Sequence, residues 1–242
     1  MRDAPRLYLD HRLAERAEHP LAQEQAHYVR DVMRLKPGDP VRLFNARDGE
    51  WLAYLGSVTR KSVCVICEKK LAEAAPPPDI DFIFAPLKHA RLDYLVQKAT
   101  ELGARRLRPV YTARTIVERV NLDRMKSNAV EAAEQCNLVF VPEVNEPEKL
   151  DRLLAGWDPG RALIYCDERS DGADTLALLK ALKLPAALLI GPEGGFTAEE
   201  REGLRRLPFV TAISLGPRIM RADTAGTAAL ALVQAVLGDW HP

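Results

Sequence analysis

Leu189-Ile190-Gly191-Pro192-Glu193-Gly194-Gly195-Phe196-Thr197-Ala198-Glu199-Glu200 is the stretch on which the fold turns. It begins inside an apolar run, Ala186–Gly191, that reads as a buried strand. It ends at Thr197, which reads as a helix N-cap, with Glu199 and Glu200 in the first turn of a helix over Ala198–Leu207. Between the two lie three glycines around one carboxylate. A strand that passes through a short loop into a helix is half of a βαβ unit, the building block of a parallel sheet.

The alternation continues outward. Strands are expected at Ile80–Ala85, Arg106–Tyr111, Ala162–Cys166 and Val210–Leu215. Helices are expected at Lys88–Leu102, Asn121–Cys136, Pro147–Leu154, Thr175–Leu182 and Asp223–Leu237. This predicts an α/β domain with a mainly parallel sheet over residues 79–242. Pro76-Pro77-Pro78 marks its start, since three prolines continue neither a helix nor a central strand. Residues 1–72 read differently, with a helix at Ala22–Met33 and strands at Pro40–Asn45, Glu50–Thr59 and Ser62–Lys70. They predict a small β-barrel with one inserted helix. The final helix, Ala222–Leu237, has no basic residue and one acid, Asp223. A helix apolar nearly all round is buried or meets a partner subunit.

Composition narrows the class. The 242 residues carry 34 basic and 34 acidic side chains, with 47% hydrophobic and 28% charged. That excludes a disordered chain and the collagen-like and disulfide-rich classes. The longest apolar run is far short of a membrane span, and Met1–Asp10 lacks a hydrophobic signal core, so a cytoplasmic location is expected. Charge is unevenly spread: Lys88–Lys126 holds ten basic residues against four acids. Such a stripe suits phosphate, although solvated helix charges explain it as well. Cys64 and Cys67 form a C-x-x-C. They lie three apart on an expected strand, on opposite faces, with no second close pair, so no metal site is expected.

Ligands of open parallel sheets bind beyond the carboxyl ends of the strands. Three expected strand ends carry suggestive residues: Cys166-Asp167-Glu168-Arg169, the Gly191–Gly195 loop, and Ser214-Leu-Gly-Pro-Arg-Ile-Met-Arg-Ala-Asp-Thr-Ala225. The glycine loop is neither a P-loop nor a dinucleotide fingerprint, and Glu199 and Glu200 repel phosphate from the helix start. In the third segment Arg218 and Arg221 bracket Ile219-Met220 just before a helix, where the helix dipole disfavours cations. That misfit hints at a functional role.

The segments Leu189–Glu200 and Ser214–Ala225 together resemble the closing motifs of the SPOUT RNA methyltransferases, and more narrowly the RsmE family. His27-Tyr-Val-Arg-Asp-Val-Met-Arg-Leu-Lys-Pro-Gly-Asp39 resembles that family's PUA-like module. Lys98-Ala-Thr-Glu-Leu-Gly103 and Glu131-Ala-Ala-Glu-Gln-Cys136 also resemble its segments. The likeness spans nearly the whole chain. One departure is Ala222-Asp223, where a larger polar residue and Glu are expected.

The resemblance implies a trefoil-knotted sheet that binds S-adenosylmethionine, a homodimer that accounts for the apolar last helix, and methylation of uridine N3 in small-subunit (16S) ribosomal RNA. It implies cofactor contacts from Gly191, Gly194, Gly195, Leu215, Gly216 and Met220. Uracil N3 must lose a proton before it attacks, so a base helps and a cation stabilises the anionic ring. Arg221 is the first choice for the cation, and Glu193 and Asp223 are candidate bases. Arg6, Arg30 and Arg34 of the PUA-like barrel are candidate RNA-phosphate contacts; solvated surface arginines are the plain alternative. Two competing readings are a non-catalytic RNA-binding protein and a SPOUT methyltransferase acting on a different RNA position.

Overall fold

The computed structural model describes residues 4–167 and 174–240, so Glu168 and Arg169 lie outside the described residues. The chain divides into two compact units, one running to Pro76 and taking in Ala133–Val141, the other comprising Pro77–Ala132 and the chain from Pro142 onward.

The first unit contains strands β1 (Arg6–Tyr8) and β2 (Glu18–Pro20), helix α1 (Gln23–His27) running into a π-helical turn (Tyr28–Val32), and strands β3 (Pro40–Asn45), β4 (Gly49–Val58) and β5 (Val63–Ala72). Their order is β1-β3-β4-β5-β2, with β1 parallel to β3 and the other pairs antiparallel. β1 and β2 are the two edges of this path, so the expected barrel is a partial one. Each of these edge strands has only three residues, too few for a period of two to show in sequence.

Alternation in β5 buries Val63, Val65 and Cys67 against Leu7, Leu43, Leu55 and Val29 of the π-helical turn. Cys67 is therefore a core side chain. At the β3–β4 hairpin the Asn45 Oδ1 accepts the N–H groups of Arg47 and Asp48 at 3.0 and 2.6 Å. Gly49 follows at φ 80°, where an added Cβ would sit 2.1 Å from the Ala72 carbonyl oxygen. Only glycine fits there.

The Ala133–Val141 segment joins this unit through Arg6. That guanidinium donates to the carbonyls of Ala133, Glu134 and Leu138 at 2.9, 3.2 and 2.8 Å, and to Glu50 at 2.7 Å. It also lies over the Phe44 ring. The division into residues 1–72 and 79–242 read from sequence does not include this segment, which is far from Arg6 along the chain.

The second unit is α/β, as its alternation implies. It contains β6 (Ile80–Phe84), α2 (Ala90–Glu101), β7 (Arg106–Tyr111), α3 (Leu122–Gln135), β8 (Glu143–Val144), β9 (Glu148–Lys149), α4 (Leu150–Ala155), β10 (Ala162–Cys166), α5 (Thr175–Lys180), β11 (Ala186–Ile190), α6 (Ala198–Arg205), β12 (Val210–Ile213) and α7 (Ala222–Leu237). All pairings are parallel, in the order β12-β10-β11-β6-β7-β8, with β9 beside the end of β7.

Every residue of β6 and β11 is buried, because helices cover both faces of the sheet. On one face Ile83, Leu163, Tyr165 and Leu189 pack with Leu153 of α4 and Leu204 of α6. On the other, α7 crosses α2 at Gly226, where a Cβ would meet Leu95 and Phe82 at 2.8 and 3.0 Å. Buried positions on α7 fall at Ala222, Gly226, Ala229, Leu230, Val233 and Gln234, one helical face.

Near the amino ends of the strands, buried Asp81 accepts from Arg106 at 2.6 Å and Arg108 at 3.3 Å. Asp79 pairs with Arg105, Arg106 and Arg161. The opposite ends of the strands carry the site.

Candidate cofactor site

Strands β12, β10 and β11 lie side by side, so the described residues at their carboxyl ends come together. They enclose a cavity of about 260 Å³, near the lower end of the ~300–1,000 Å³ usual for small-molecule sites. One wall is Gly191, Pro192, Glu193 and Gly195; another is Leu215, Gly216 and the segment from Arg218 to Ala222; Tyr165, Cys166 and Asp167 form the floor.

Backbone shape explains the glycines. At Gly191 a Cβ would lie 2.6 Å from the Phe196 ring, so its absence lets buried Phe196 fold over the strand end. There Phe196 meets Tyr165 edge-on at 5.2 Å. Gly195 adopts φ 65° and donates its N–H to the Pro192 carbonyl at 2.8 Å. Gly216 adopts φ 96°, and a Cβ there would meet nothing, which leaves its backbone open to a flat ligand. Thr197 closes the loop with a capping box: its hydroxyl accepts the Glu200 N–H, and Glu200 accepts the Thr197 N–H at 2.8 Å.

Charge at the mouth is mostly positive. Arg221 is the N-cap residue of α7 and is exposed, as is Arg218. Neither guanidinium has a hydrogen-bond or ion-pair partner among the described residues. Ile219 between them is 89% exposed, an unusual state for isoleucine and consistent with a surface that meets a ligand. Glu193 faces Arg91 across 3.5 Å. On the floor, buried Asp167 accepts from Arg205 at 2.7 Å. Burial, then the Asp167 charge, raises the Tyr165 phenol above its ordinary value, so it stays neutral. Burial also pushes the Cys166 thiol up to about 12, which leaves no thiolate at neutral pH.

Of the six residues expected to contact cofactor, Gly191, Gly195, Leu215, Gly216 and Met220 line the cavity. Gly194 does not: it turns outward, and the Cβ it lacks would point at Arg114. Arg221 and Glu193 are on the wall. Asp223 is not; its Oδ1 accepts the Thr224 N–H in the first turn of α7, where a carboxylate suits the helix dipole.

Arg6 is buried with its guanidinium committed, which leaves no face for an RNA phosphate. Arg30 grips Asp31 and the carbonyls of Thr59 and Arg60. Arg34 is exposed at φ 56°. A second, larger cavity of about 700 Å³, lined by Leu150, Leu154, Leu204 and Leu207, has none of these converging strand-end loops.

An RNA methyltransferase domain model matches residues 74–234, and an RNA methyltransferase PUA domain model matches residues 21–67. Ribosomal RNA small subunit methyltransferase E of Rickettsia conorii is 30% identical over 232 residues, 95% of this chain and 94% of that protein. The protein of the same name from Bacillus subtilis is 31% identical, over 87% of each chain. This chain belongs to the ribosomal RNA small subunit methyltransferase E family.

Two solved structures carry the same fold from end to end. A Legionella pneumophila protein solved with S-adenosylmethionine as bound cofactor has 27% identity and a TM-score of 0.84 over 98% of this chain and 99% of its own. A small subunit methyltransferase E from Neisseria gonorrhoeae, bound to S-adenosylmethionine, has 24% identity and a TM-score of 0.85 over 98% and 100%.

Within this methyltransferase E fold, Arg201 and Phe196 are wall residues that sequence reasoning missed. Phe196 adjoins the glycine motif and was within reach. Arg201 sits a turn into α6, where nothing in the helical pattern sets it apart from any surface arginine. Among the described residues, no helix is long and apolar enough to cross a membrane.

Proposed function

We propose that this protein uses S-adenosylmethionine to methylate N3 of a uridine in small-subunit ribosomal RNA, and that the 260 Å³ cavity holds the cofactor. The observation that carries the reading is the pairing of the 191–195 and 215–220 loops with Arg218 and Arg221, whose guanidiniums have no partner among the described residues, at one end of the sheet. The cavity fits a flat, partly polar molecule. Gly216 offers open backbone, Gly191, Gly195 and Leu215 line the interior, and Met220 and Phe196 supply apolar contact. Bound there, S-adenosylmethionine supplies an electrophilic methyl group on a neutral thioether leaving group.

The remaining chemistry belongs to the chain. N3 lies on the pairing edge, so the uridine enters unpaired or flipped from its stack. Arg221 at the mouth stabilises the uracil anion that forms as the N3 proton leaves. Glu193, on the wall beside Arg91, is the carboxylate to which this reading gives that proton. Apolar walls exclude water and fix the approach of the base. Arg34, and Arg30 in part, supply phosphate contacts from the PUA-like unit. The apolar, half-exposed back of α7 supports a homodimer, and the knotted threading of the family goes with this fold. A cytoplasmic location follows from a ribosomal RNA substrate.

The test is label transfer. Radiolabelled S-adenosylmethionine is incubated with the protein and either small ribosomal subunits that lack the modification or bulk tRNA. Label in the small subunits alone is expected. Label in tRNA alone would support the second reading, a methyltransferase with another RNA target.

A further inference from the structure

Gly194 is the glycine of the loop that faces away from the cavity, and an arginine meets it there. The Arg114 Nη1 donates to the Gly194 carbonyl at 2.8 Å. The Arg114 Cβ and Cδ lie 3.5 and 3.6 Å from where a Gly194 Cβ would stand. Arg114 is exposed and comes from a turn just beyond β7. In that turn the Thr112 N–H donates to the Thr115 hydroxyl at 2.9 Å, and the Thr115 N–H donates back to the Thr112 carbonyl at 3.2 Å. The same turn presents the Ala113 N–H to Glu200 Oε1 at 2.7 Å, while Glu200 Oε2 accepts the Thr197 N–H. The glycine loop is thus held from outside at its middle and at its end by one four-residue turn.

Glycine loses more conformational freedom on folding than other residues, and this loop has three of them. Its own backbone contributes the Gly195-to-Pro192 hydrogen bond. External contacts must supply the rest of its order, and a guanidinium on a carbonyl is a charge-assisted bond. We propose that Arg114 is a positioning residue: the Thr112–Thr115 turn clamps the outer face of the loop and so presets the inner face for the cofactor. Preorganisation of this kind raises affinity without adding a contact to the ligand. The inference rests on the reading of this cavity as the S-adenosylmethionine site.

Three proteins test it: wild type, Arg114→Ala and Arg114→Lys. Cofactor affinity is measured by calorimetry, KM and kcat by label transfer, and stability by thermal melting. Arg114→Ala should raise the cofactor Kd and KM roughly tenfold, while kcat at saturating cofactor stays within about twofold. Its melting temperature should match wild type, because the side chain is exposed. Arg114→Lys should recover most of the affinity, since one N–H on the carbonyl suffices. An Arg114→Ala variant with wild-type Kd overturns the proposal. So does a fall in kcat at unchanged KM, which would place Arg114 in RNA binding or chemistry, and so does a marked loss of melting temperature. Wild type that fails to bind millimolar S-adenosylmethionine removes the cofactor reading itself and the inference with it; wild type that binds beside an indifferent Arg114→Ala removes the inference alone.

Discussion

Arg221 stands at the positive end of α7, exposed, its guanidinium without a partner among the described residues. Stability alone gives no reason for a cation there. Arg221→Ala should therefore melt like wild type and lose roughly a hundredfold or more in turnover; turnover near wild type would remove its proposed role. The glycines divide just as sharply. Gly191→Ala forces a Cβ into the Phe196 ring and should cost about 1–3 kcal/mol with a weaker cofactor affinity. Gly194→Ala meets only Arg114 at ordinary contact distance, so stability should barely change. Paired melting and calorimetry check the contrast. Sequence made the motif legible and its inner and outer faces not, because a glycine carries no side chain whose chemistry reveals direction. Asp223 is similar: its neighbours Ala222 and Ala225 in the first turn of α7 line the cavity while its own carboxylate accepts the Thr224 N–H, and the sequence does not show which way that turn faces.

At the scale of elements, Arg6 shows why an arginine near a chain end is hard to read. A guanidinium suits an RNA phosphate and three stacked carbonyls equally well, and only the long-range fold brings Ala133, Glu134 and Leu138 to it. Arg6→Ala takes the guanidinium away from the Ala133, Glu134 and Leu138 carbonyls and leaves Glu50 without its closest cation. It should destabilise the protein by about 3–5 kcal/mol. Arg34→Ala should leave stability unchanged and flatten the dependence of log K for RNA on log salt by about 0.7–0.9. Denaturant titration and salt-dependent RNA binding separate the two; a stable Arg6→Ala would contradict the structural role. β6 and α7 were legible as apolar runs, and α2 from its apolar spacing. β1, β2, β8 and β9 have two or three residues each and owe their existence to a partner strand, which local pattern does not contain.

For the whole molecule, the sheet has a charged end and a ligand end. Burial alone would raise the Asp79 carboxyl, but Arg161, Arg106 and Arg105 hold it below its ordinary value near 3.8. A depressed folded-state value gives stability that is fully present above the unfolded value and lost as pH falls through the folded one. Melting temperature should thus hold from neutral pH to about 5 and fall below about 4, and Asp79→Asn should melt lower at pH 7 with a shallower acid limb. An Asp79→Asn protein as stable as wild type at pH 7 would contradict this. The two-unit plan was legible from the three prolines and the change of period. The return of Ala133–Val141 to the first unit was not, since no local signal marks a segment that changes neighbours. The atom methylated is the sharpest point to test. Small ribosomal subunits lacking the modification are treated with this protein and S-adenosylmethionine, and the rRNA is digested to nucleosides for mass spectrometry. The expected product is 3-methyluridine, absent when Arg221→Ala replaces wild type; a ribose-methylated or guanine-methylated nucleoside in its place would overturn the proposed N3 chemistry.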